Sequence, residues 1–351
     1  MRAIVYDRGG GPDVLRLVDK PVPGPGAGEV RVLVVRSGVN PADWKTRSRA
    51  GGSAPAPQVP NQDGSGIIDA VGRGVEPALA GRRVWISEAA YRRPEGTAQE
   101  YVIVPERQAA CLPDGASFDL GACLGIPFLT AHRCLTVNAA GPARLGPGAL
   151  QGQVILVAGG AGAVGNAAIQ LARWSGGTVI ATVSCPAKAR LAEAAGADCV
   201  LDYRGQDVAR EVRKIAPAGV DTIVEVAEGA NAALDAGLIA PQGTVACYAS
   251  DGSEQIVLPG QGLTALNVRW QFLSVYTVPR AAKERAIADV QAALLAGAIG
   301  AGPANGLPLH HYPLAETARA HQAVENHVVG KVLIDVTEPA CQCETSVNRP
   351  V

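Results

Sequence analysis

The chain has 351 residues, of which 48% are hydrophobic and 18% charged, and its formal net charge is −1. This composition is typical of a globular protein, the length suits two domains, and intrinsic disorder is excluded. A near-neutral chain gives no electrostatic reason to expect binding to nucleic acid or to an anionic membrane. We find no secretory signal and no apolar run of membrane-spanning length, so a cytoplasmic protein is expected.

The cysteines support the same compartment. None of the eight forms a C-x-x-C pair, which favours reduced thiols in a cytoplasmic protein over a disulfide framework. Two of them, Cys341 and Cys343, lie in the polar, aperiodic segment 337–351, which we interpret as a flexible tail. A soft-metal site at this cysteine pair is the less favoured alternative.

The first part of the chain is rich in predicted strands. Short apolar runs bounded by turn residues predict strands over 3–6, 29–35, 64–72 and 83–86. Glycine and proline residues separate them, and residues 50–60 are predicted to form a loop. Pro41 predicts the first turn of a short helix, because its fixed φ suits that position. Many short strands with such turns favour a barrel.

From about residue 127 the pattern changes to alternating strands and helices. The strands are predicted over 154–157, 178–183, 199–201, 221–226 and 244–248. The helices between them are predicted over 167–174, 188–195 and 232–239, with a further one presenting Val208, Val212 and Ile215 on one face. This alternation predicts a doubly wound parallel sheet. A helix over 281–296 and a strand over 331–336 complete the ordered chain.

A glycine-rich turn joins the first strand and helix of this second region. Gly159, Gly162 and Gly165 follow the apolar strand, with Ala163 and Val164 opening the helix. The pattern is one residue looser than the common dinucleotide fingerprint, but it has the strand–turn–helix context that the motif requires. Free N–H groups and the helix dipole would bind a pyrophosphate there. A structural turn without a ligand is the alternative.

The end of the second strand indicates which dinucleotide binds. An NAD site would place Asp or Glu roughly 20 residues past the last glycine, whereas this chain has Ser184, followed by Lys188 and Arg190. A hydroxyl and two cations suit a 2′-phosphate, and no carboxylate repels it. The sequence therefore favours NADPH over NADH. The alternative is that the basic residues belong to an ordinary solvated helix face.

Six segments, in chain order, carry a resemblance to a known family. They are GVNPAD (38–43), DGSG (63–66), LGIPFLTA (124–131), AGGAGAVG (158–165), LDYR (201–204) and GKVLI (330–334). The chain resembles the medium-chain dehydrogenase/reductase superfamily, and within it the zinc-independent quinone oxidoreductases related to zeta-crystallin. The resemblance implies a GroES-like strand-rich barrel domain over 1–126 and 268–336 and a Rossmann NADP-binding domain over 127–267. Homodimers, and sometimes tetramers, are implied too, with segment 265–275 as a pairing edge.

The same resemblance predicts that the site holds no metal. Zinc-dependent relatives carry Cys, His and Cys where this chain has Asn40, Gln62 and Ile126, and none of these three side chains replaces a thiolate or imidazole at catalytic zinc. Hydride transfer without a Lewis acid requires an acceptor that is already electrophilic. We therefore expect a quinone as substrate. An unsaturated carbonyl (enone or enal) is the alternative substrate, and a low-turnover NADPH-binding, crystallin-like protein is the alternative class.

The predicted site residues follow from the matched positions. The catalytic candidates are Asn40, Asp43, Gln62 and Tyr91. The cofactor-binding candidates are Thr130, Gly159, Gly162, Ala163, Val164, Gly165, Ser184, Lys188, Tyr203, Ala249 and Ser250. Asn40 would donate a hydrogen bond to a substrate oxygen, Tyr91 is a candidate proton source, and a purely structural cap is an equal alternative for Asp43. Trp44 is expected to narrow the substrate site or stack against the substrate.

Overall fold

A computed structural model describes residues 1–49, 53–250, 252 and 255–337, without the side chains of residues 53–56. The strands are β1 (Arg2–Arg8), β2 (Arg16–Asp19), β3 (Glu29–Val39), β4 (Ser53–Gln58), β5 (Asp63–Val71), β6 (Arg83–Ile86), β7 (Tyr101–Pro105), β8 (Ala109–Cys111), β9 (Val154–Ala158), β10 (Thr178–Val183), β11 (Cys199–Asp202), β12 (Val220–Glu225), β13 (Ile239–Cys247), β14 (Arg269–Phe272), β15 (Leu309–Pro313) and β16 (Lys331–Asp335). The helices are α1 (Pro41–Arg49), α2 (Phe118–Leu135), α3 (Ala163–Trp174), α4 (Pro186–Ala194), α5 (Val208–Ile215), α6 (Glu228–Leu238), α7 (Gly260–Ala265), α8 (Arg280–Leu295) and α9 (Thr317–Glu325).

The second half of the chain is built on a six-stranded parallel sheet. Its strand order is β11-β10-β9-β12-β13-β14, and every neighbouring pair is parallel. Numbered from β9, this is the order 3-2-1-4-5-6 of dinucleotide-binding folds, which confirms the predicted doubly wound sheet. The order reverses between β9 and β12, so a crevice is expected beyond the carboxyl ends of these two strands.

The first half forms two sheets that the end of the chain completes, and all their strand pairs are antiparallel except β15 with β16. A three-stranded sheet has the order β2-β1-β4, and a larger sheet has the order β15-β16-β3-β5-β6-β8, with β7 also pairing with β3. The valines at 30, 32 and 34 of β3 are fully buried. Val332 of β16 pairs with Val39 of β3, so the final strand returns to the first region. The predicted strand-rich region is confirmed.

Tertiary pairing changes some local predictions. Residues 53–58 form β4, which pairs with β1, so the predicted loop over 50–60 is wrong there, and residues 50–52 lie outside the description. The segment is short and proline-rich and carries no strand pattern of its own; its partner strand holds it extended. On α5, Val208 and Val212 are buried as predicted, whereas Ile215 is 39% exposed.

The predicted domain limits cross regular structure in two places. Helix α2 runs without interruption through the 126/127 limit, with Pro127 inside it. Strand β14 pairs with β13. Residues 269–272 therefore lie in the parallel sheet, although the sequence assigned them to the GroES-like domain with the rest of 268–336. The segment 338–351 of the expected tail, with Cys341 and Cys343, lies outside the described residues, and its flexibility stays a prediction. No helix among the described residues is long and apolar enough to cross a bilayer.

Candidate active site

A cleft of about 650 Å³ opens where the two regions meet. Its walls come from the start of α1, the middle of α2, the glycine turn before α3 and the loops after β12 and β13. The last three elements lie beyond the carboxyl ends of parallel strands, which is where ligands bind in doubly wound sheets. The described geometry therefore brings residues from both halves of the chain onto one cavity.

The glycine turn forms one end of this cleft. Gly159 has φ +68°, a conformation that favours glycine, and a Cβ on Gly165 would lie 2.4 Å from the carbonyl oxygen of Gly159. Gly162 lines the cleft, and a Cβ there would meet no described atom closer than 3.4 Å. The absence of a side chain at Gly162 thus leaves free space in the cleft.

Helix α3 begins at this turn without a side-chain cap. Gly162 is its N-cap, and no side chain accepts a hydrogen bond from its first N–H groups. Ala163 and Val164, the first two helical residues, also line the cleft. Unpaired N–H groups and the positive end of the helix dipole attract anions. The turn therefore fits the pyrophosphate of a dinucleotide.

Polar side chains lie beyond the ends of β10 and β11. The Lys188 ammonium donates a hydrogen bond to Ser184 Oγ at 3.1 Å, and Tyr203 N donates to the carbonyl oxygen of Val183 at 3.0 Å. The structure thus brings the ends of the two strands together, with Tyr203 53% exposed. Arg190 is exposed on α4. No carboxylate follows β10 directly, as the sequence indicated.

A buried polar trio lies beneath the other end of the cleft. The Asn40 amide Nδ2 donates to Asp63 Oδ2 at 2.7 Å, and the Lys331 ammonium donates to Asn40 Oδ1 at 2.6 Å. Lys331 Nζ also lies 3.4 Å from Asp63 Oδ2. Burial raises the pKa of Asp63, while the Lys331 charge and hydrogen bonds from Asn40 and Ile126 N oppose that shift. Only Asn40 of the trio is among the cleft-lining residues.

Sequence reasoning missed Asp63 and Lys331 as site residues. Both lie in segments that carried the family resemblance, and each is a charged residue that opens a largely buried strand. Charged side chains are rarely fully buried without a partner. A lysine and an aspartate at the starts of two buried strands could therefore have predicted a buried ion pair.

Asp43 supports the start of α1 and does not line the cleft. Its Oδ2 accepts a hydrogen bond from Asn40 N at 2.7 Å, while its Oδ1 is buried without a partner. Burial raises the pKa of Asp43 to about 7, against the effect of the Asn40 hydrogen bond. This geometry favours the capping interpretation over direct contact with a substrate.

Gln62 and Ile126 occupy the other two positions where zinc-dependent relatives carry ligands. Gln62 Oε1 accepts a hydrogen bond from Ala90 N at 3.1 Å, and its side chain is absent from the cleft wall. Ile126 lines the cleft, and its N–H donates to Asp63 Oδ1 at 2.8 Å. Within the described ranges, no group of three or more His, Cys, Asp or Glu side chains is arranged to hold a metal ion.

Two stacked tyrosines close one side of the cleft. The rings of Tyr91 and Tyr276 have centroids 4.9 Å apart and lie 22° from parallel. Tyr276 lines the cleft, and its hydroxyl is buried with no described partner. Burial and the nearby Asp43, Asp63 and Glu88 raise the pKa of Tyr276, so its phenol stays protonated. The sequence pointed to Tyr91, which is not among the lining residues, and gave no signal for Tyr276.

The remaining predicted contacts meet at the same cavity. Thr130 on α2 and Ala249 and Ser250 after β13 all line the cleft. Tyr248 lines it as well, and burial raises the pKa of its hydroxyl. The structure thus gathers Asn40, Thr130, the glycine turn and the 249–250 loop on one surface. Six predicted residues are not among those that line the cleft: Asp43, Gln62, Tyr91, Ser184, Lys188 and Tyr203.

Comparison with known proteins identifies similar chains. A family profile described as an alcohol dehydrogenase GroES-like domain matches residues 26–114, and one described as a zinc-binding dehydrogenase matches residues 163–292. Quinone oxidoreductase of Lama guanicoe is 31% identical over 339 residues, which are 95% of this chain and 97% of that protein.

Two solved structures extend the comparison. A mycobacterial protein complexed with NADPH is 31% identical, with a TM-score of 0.78 over 95% of this chain and 99% of its own. An NAD-dependent alcohol dehydrogenase is 28% identical, with a TM-score of 0.82 over 96% of this chain and 100% of its own. These similar structures thus differ in the cofactor that their descriptions name.

Proposed function

The chain belongs to the quinone oxidoreductase family of the medium-chain dehydrogenases and reductases, and from that premise we propose that it is an NADPH-dependent, zinc-independent quinone reductase. Membership makes it an enzyme of the medium-chain oxidoreductase type. One observation carries the finer proposal: an uncapped, glycine-lined helix N-terminus and a buried amide donor, Asn40, line the same cleft. The first suits a dinucleotide, and the second suits an acceptor oxygen.

The proposed cofactor residues lie at the glycine turn, in the cleft wall and beyond the ends of β10 and β11. The pyrophosphate would lie at the turn formed by Gly159, Gly162, Ala163, Val164 and Gly165. Thr130, Ala249 and Ser250 would hold the nicotinamide end. Ser184, Lys188 and Tyr203 would hold the 2′-phosphate. The Lys188 ammonium at the end of β10 and the NADPH complex of the mycobacterial relative both support NADPH over NADH.

The acceptor end of the cleft suits a flat, electrophilic ring. Trp44 and Ile126 offer apolar surface there, and Asn40 offers a hydrogen-bond donor. NADPH, when bound, supplies a hydride. Asn40 then stabilises the negative charge that develops on the acceptor oxygen. Asp43 fixes the start of the helix that follows Asn40, and Gln62 accepts a hydrogen bond from Ala90 N. Tyr91 stacks on Tyr276, which lines the cleft.

Zinc independence is supported by the chemistry of the three matched positions. The Asn40 amide is already held by Asp63 and Lys331, Gln62 is held by a backbone N–H, and Ile126 has no ligand atom in its side chain. A catalytic zinc requires thiolate, imidazole or carboxylate ligands around an open position. We therefore expect full activity after treatment with EDTA.

The decisive experiment is NADPH oxidation with and without p-benzoquinone, on untreated and EDTA-treated protein, with NADH in parallel. Quinone-dependent oxidation that prefers NADPH and resists EDTA is the expected result. Tight NADPH binding with no quinone turnover, but with turnover of an enone, would replace the proposal with a double-bond reductase. Binding without turnover of either substrate class would point to a crystallin-like, low-turnover protein. Loss of activity in EDTA would contradict zinc independence.

We also propose a homodimer in the cytoplasm. Strand β14 is the edge of the parallel sheet, its backbone is free to pair with a second copy, and Phe272 on it is 55% exposed. The six cysteines in the described part of the chain are all free thiols, which suits a reducing compartment. Light scattering after size exclusion should give twice the chain mass, and a monomeric mass would contradict the dimer.

A further inference from the structure

A lysine ammonium is buried directly beneath the acceptor end of the cleft. Lys331 is the first residue of β16 and is 1% exposed, and its partner Asp63 is 0% exposed. The Lys331 ammonium donates to Asn40 Oδ1 at 2.6 Å. Burying a charge is costly even when it is paired, and an apolar replacement is often as stable. The position of this ion pair therefore calls for an explanation beyond stability.

The trio fixes the orientation of the Asn40 amide. An ammonium group can only donate hydrogen bonds, and a carboxylate can only accept them. Lys331 therefore selects the amide oxygen of Asn40, and Asp63 selects the amide nitrogen. An amide nitrogen carries two hydrogens, and the bond to Asp63 uses one. Because Asn40 lines the cleft, the second N–H is the polar group that it can offer to an acceptor.

Two glycines from separate segments make room for this arrangement. A Cβ on Gly38 would lie 2.3 Å from the carbonyl oxygen of Ala122 and 3.0 Å from Lys331 Cε. A Cβ on Gly125 would lie 2.1 Å from Asp63 Oδ1. Any larger residue at either position would displace the lysine stem or the carboxylate. The trio is thus enclosed by close packing that holds each partner in place.

Resting on the proposed reductase function, we propose that Lys331 is a positioning residue that locks the Asn40 amide with an N–H towards the acceptor oxygen. A flipped amide would present its carbonyl oxygen instead and would repel the negative charge that develops there. The Lys331 ammonium that donates to the amide oxygen also polarises the amide, which strengthens its N–H as a donor. Lys331 acts through Asn40 and does not touch the substrate.

A double-mutant cycle tests this role. Asn40→Ala removes the donor and should lower kcat on the order of 10²-fold, as the loss of an oxyanion donor does. Lys331→Met should lower kcat roughly tenfold and leave the Kd for NADPH within about twofold. The double variant should be no slower than Asn40→Ala alone, because Lys331 has no other route to the reaction. Losses that multiply would overturn the proposal.

Two further variants separate positioning from folding. Lys331→Met leaves Asp63 buried without its cationic partner, so the pair Lys331→Met with Asp63→Asn removes both charges. The single amide oxygen at position 63 can accept from Asn40 Nδ2 but then leaves Ile126 N without its acceptor, so folding of this variant is checked by circular dichroism. This folded, neutral protein should show the same loss of kcat, and wild-type kcat in it would contradict the proposal. Lys20→Met, which removes a lysine from its pair with Glu95 outside the cleft wall, should leave kcat unchanged.

A spectroscopic readout does not depend on turnover. The side-chain amide signals of Asn40 in a ¹⁵N–¹H spectrum can be assigned by their loss in Asn40→Ala. They should shift in Lys331→Met, where Asn40 Oδ1 loses its cationic donor. Unshifted signals in Lys331→Met would overturn the proposal. If the wild-type protein turned over no quinone, the reductase assignment would fail while this spectrum would still report on Lys331.

Discussion

The two ends of the cleft are built on different principles. The glycine end is one continuous segment, residues 159–165, and it offers backbone N–H groups. The acceptor end joins Asn40 to Asp63 and to Lys331, which is 291 positions away along the chain. A backbone anion site requires only a local turn and a helix start, so it is visible in a short motif. A side-chain site requires the fold to bring distant residues together.

The two ends of the cleft also differ in their charges. The glycine end uses partial charges that remain solvated until a ligand arrives. The acceptor end encloses a full ion pair, in which a lost partner leaves an uncompensated charge. Substitutions at the glycine end should therefore affect binding of the cofactor, and those at the acceptor end should affect the rate. The following predictions test that division, from the largest expected effect on NADPH turnover to the smallest.

Gly165→Ala should nearly abolish NADPH binding. Its Cβ would lie 2.4 Å from the carbonyl oxygen of Gly159, so the turn and the helix start must separate, which disrupts the anion site. We expect the Kd for NADPH, measured by fluorescence titration, to rise by more than about 100-fold. Gly115→Ala is the control, because a Cβ there meets no described atom within 4 Å. Normal affinity in Gly165→Ala would show that the turn does not hold the cofactor.

Asn40→Asp should lower kcat on the order of 10²-fold with little change in NADPH affinity. The carboxyl group has the same shape and keeps an oxygen for Lys331, but it replaces the donor and sets a second carboxylate against Asp63. Stopped-flow measurement of the hydride-transfer step would report this loss. Asn326→Asp, an exposed change outside the cleft wall, serves as the control. A rate close to wild type would remove Asn40 from the mechanism.

Lys188→Ala should weaken NADPH binding roughly tenfold and leave NADH binding unchanged. The expected reason is loss of a charge-assisted hydrogen bond to the 2′-phosphate. Parallel titrations with both cofactors measure the difference, and Lys214→Ala, an exposed lysine on α5, is the control. Equal weakening for NADPH and NADH would argue against a 2′-phosphate site beside Ser184.

Asp43→Asn should change turnover least and should alter the pH dependence of stability. Burial raises the pKa of Asp43 to about 7 in the folded protein, whereas the unfolded chain has a pKa of about 4. Between these values the folded state keeps a proton that the unfolded state has lost, so the free energy of unfolding falls as the pH rises. The loss is on the order of 4 kcal/mol and persists above pH 7.

The amide variant retains the acceptor for Asn40 N and carries no titrating carboxyl group. Denaturant unfolding at several pH values should therefore give a shallower decline between about pH 4 and pH 7 than the wild type shows. Identical slopes in the two proteins would contradict the raised pKa. A large loss of kcat in Asp43→Asn would return Asp43 to the group of residues that contact the substrate.

Much of the parallel-sheet region could be read from the sequence. The apolar runs at β9 and β10 and the helical periods between strands predicted the doubly wound sheet. The glycines at 159, 162 and 165 predicted the turn that opens α3. Relatives then confirmed the family that six short segments had indicated. These features succeed because each lies within one continuous stretch, where periodicity and backbone geometry act locally.

Other elements took their structure from distant partners. Strand β4 is extended because β1 pairs with it, and β14 joins the parallel sheet through β13 alone. Tyr276 lines the cleft and stacks on Tyr91. It lies in a short turn after an edge strand, and no sequence pattern there predicts that its side chain lines a cavity. Asp43 is a neighbour of Asn40 in the structure, but neither Asp43 nor Gln62 lines the cleft.

The sequence by itself determined the fold class, the glycine turn and the residue types at positions 40, 62 and 126. The tertiary structure decided which side chains face the cleft, and it revealed that Asn40 is held between Asp63 and Lys331. The physical reason is the range of the forces involved. Helix periods, strand periods and glycine turns depend on neighbours in the chain, whereas the burial and pairing of a charge depend on residues that only folding brings within hydrogen-bond distance.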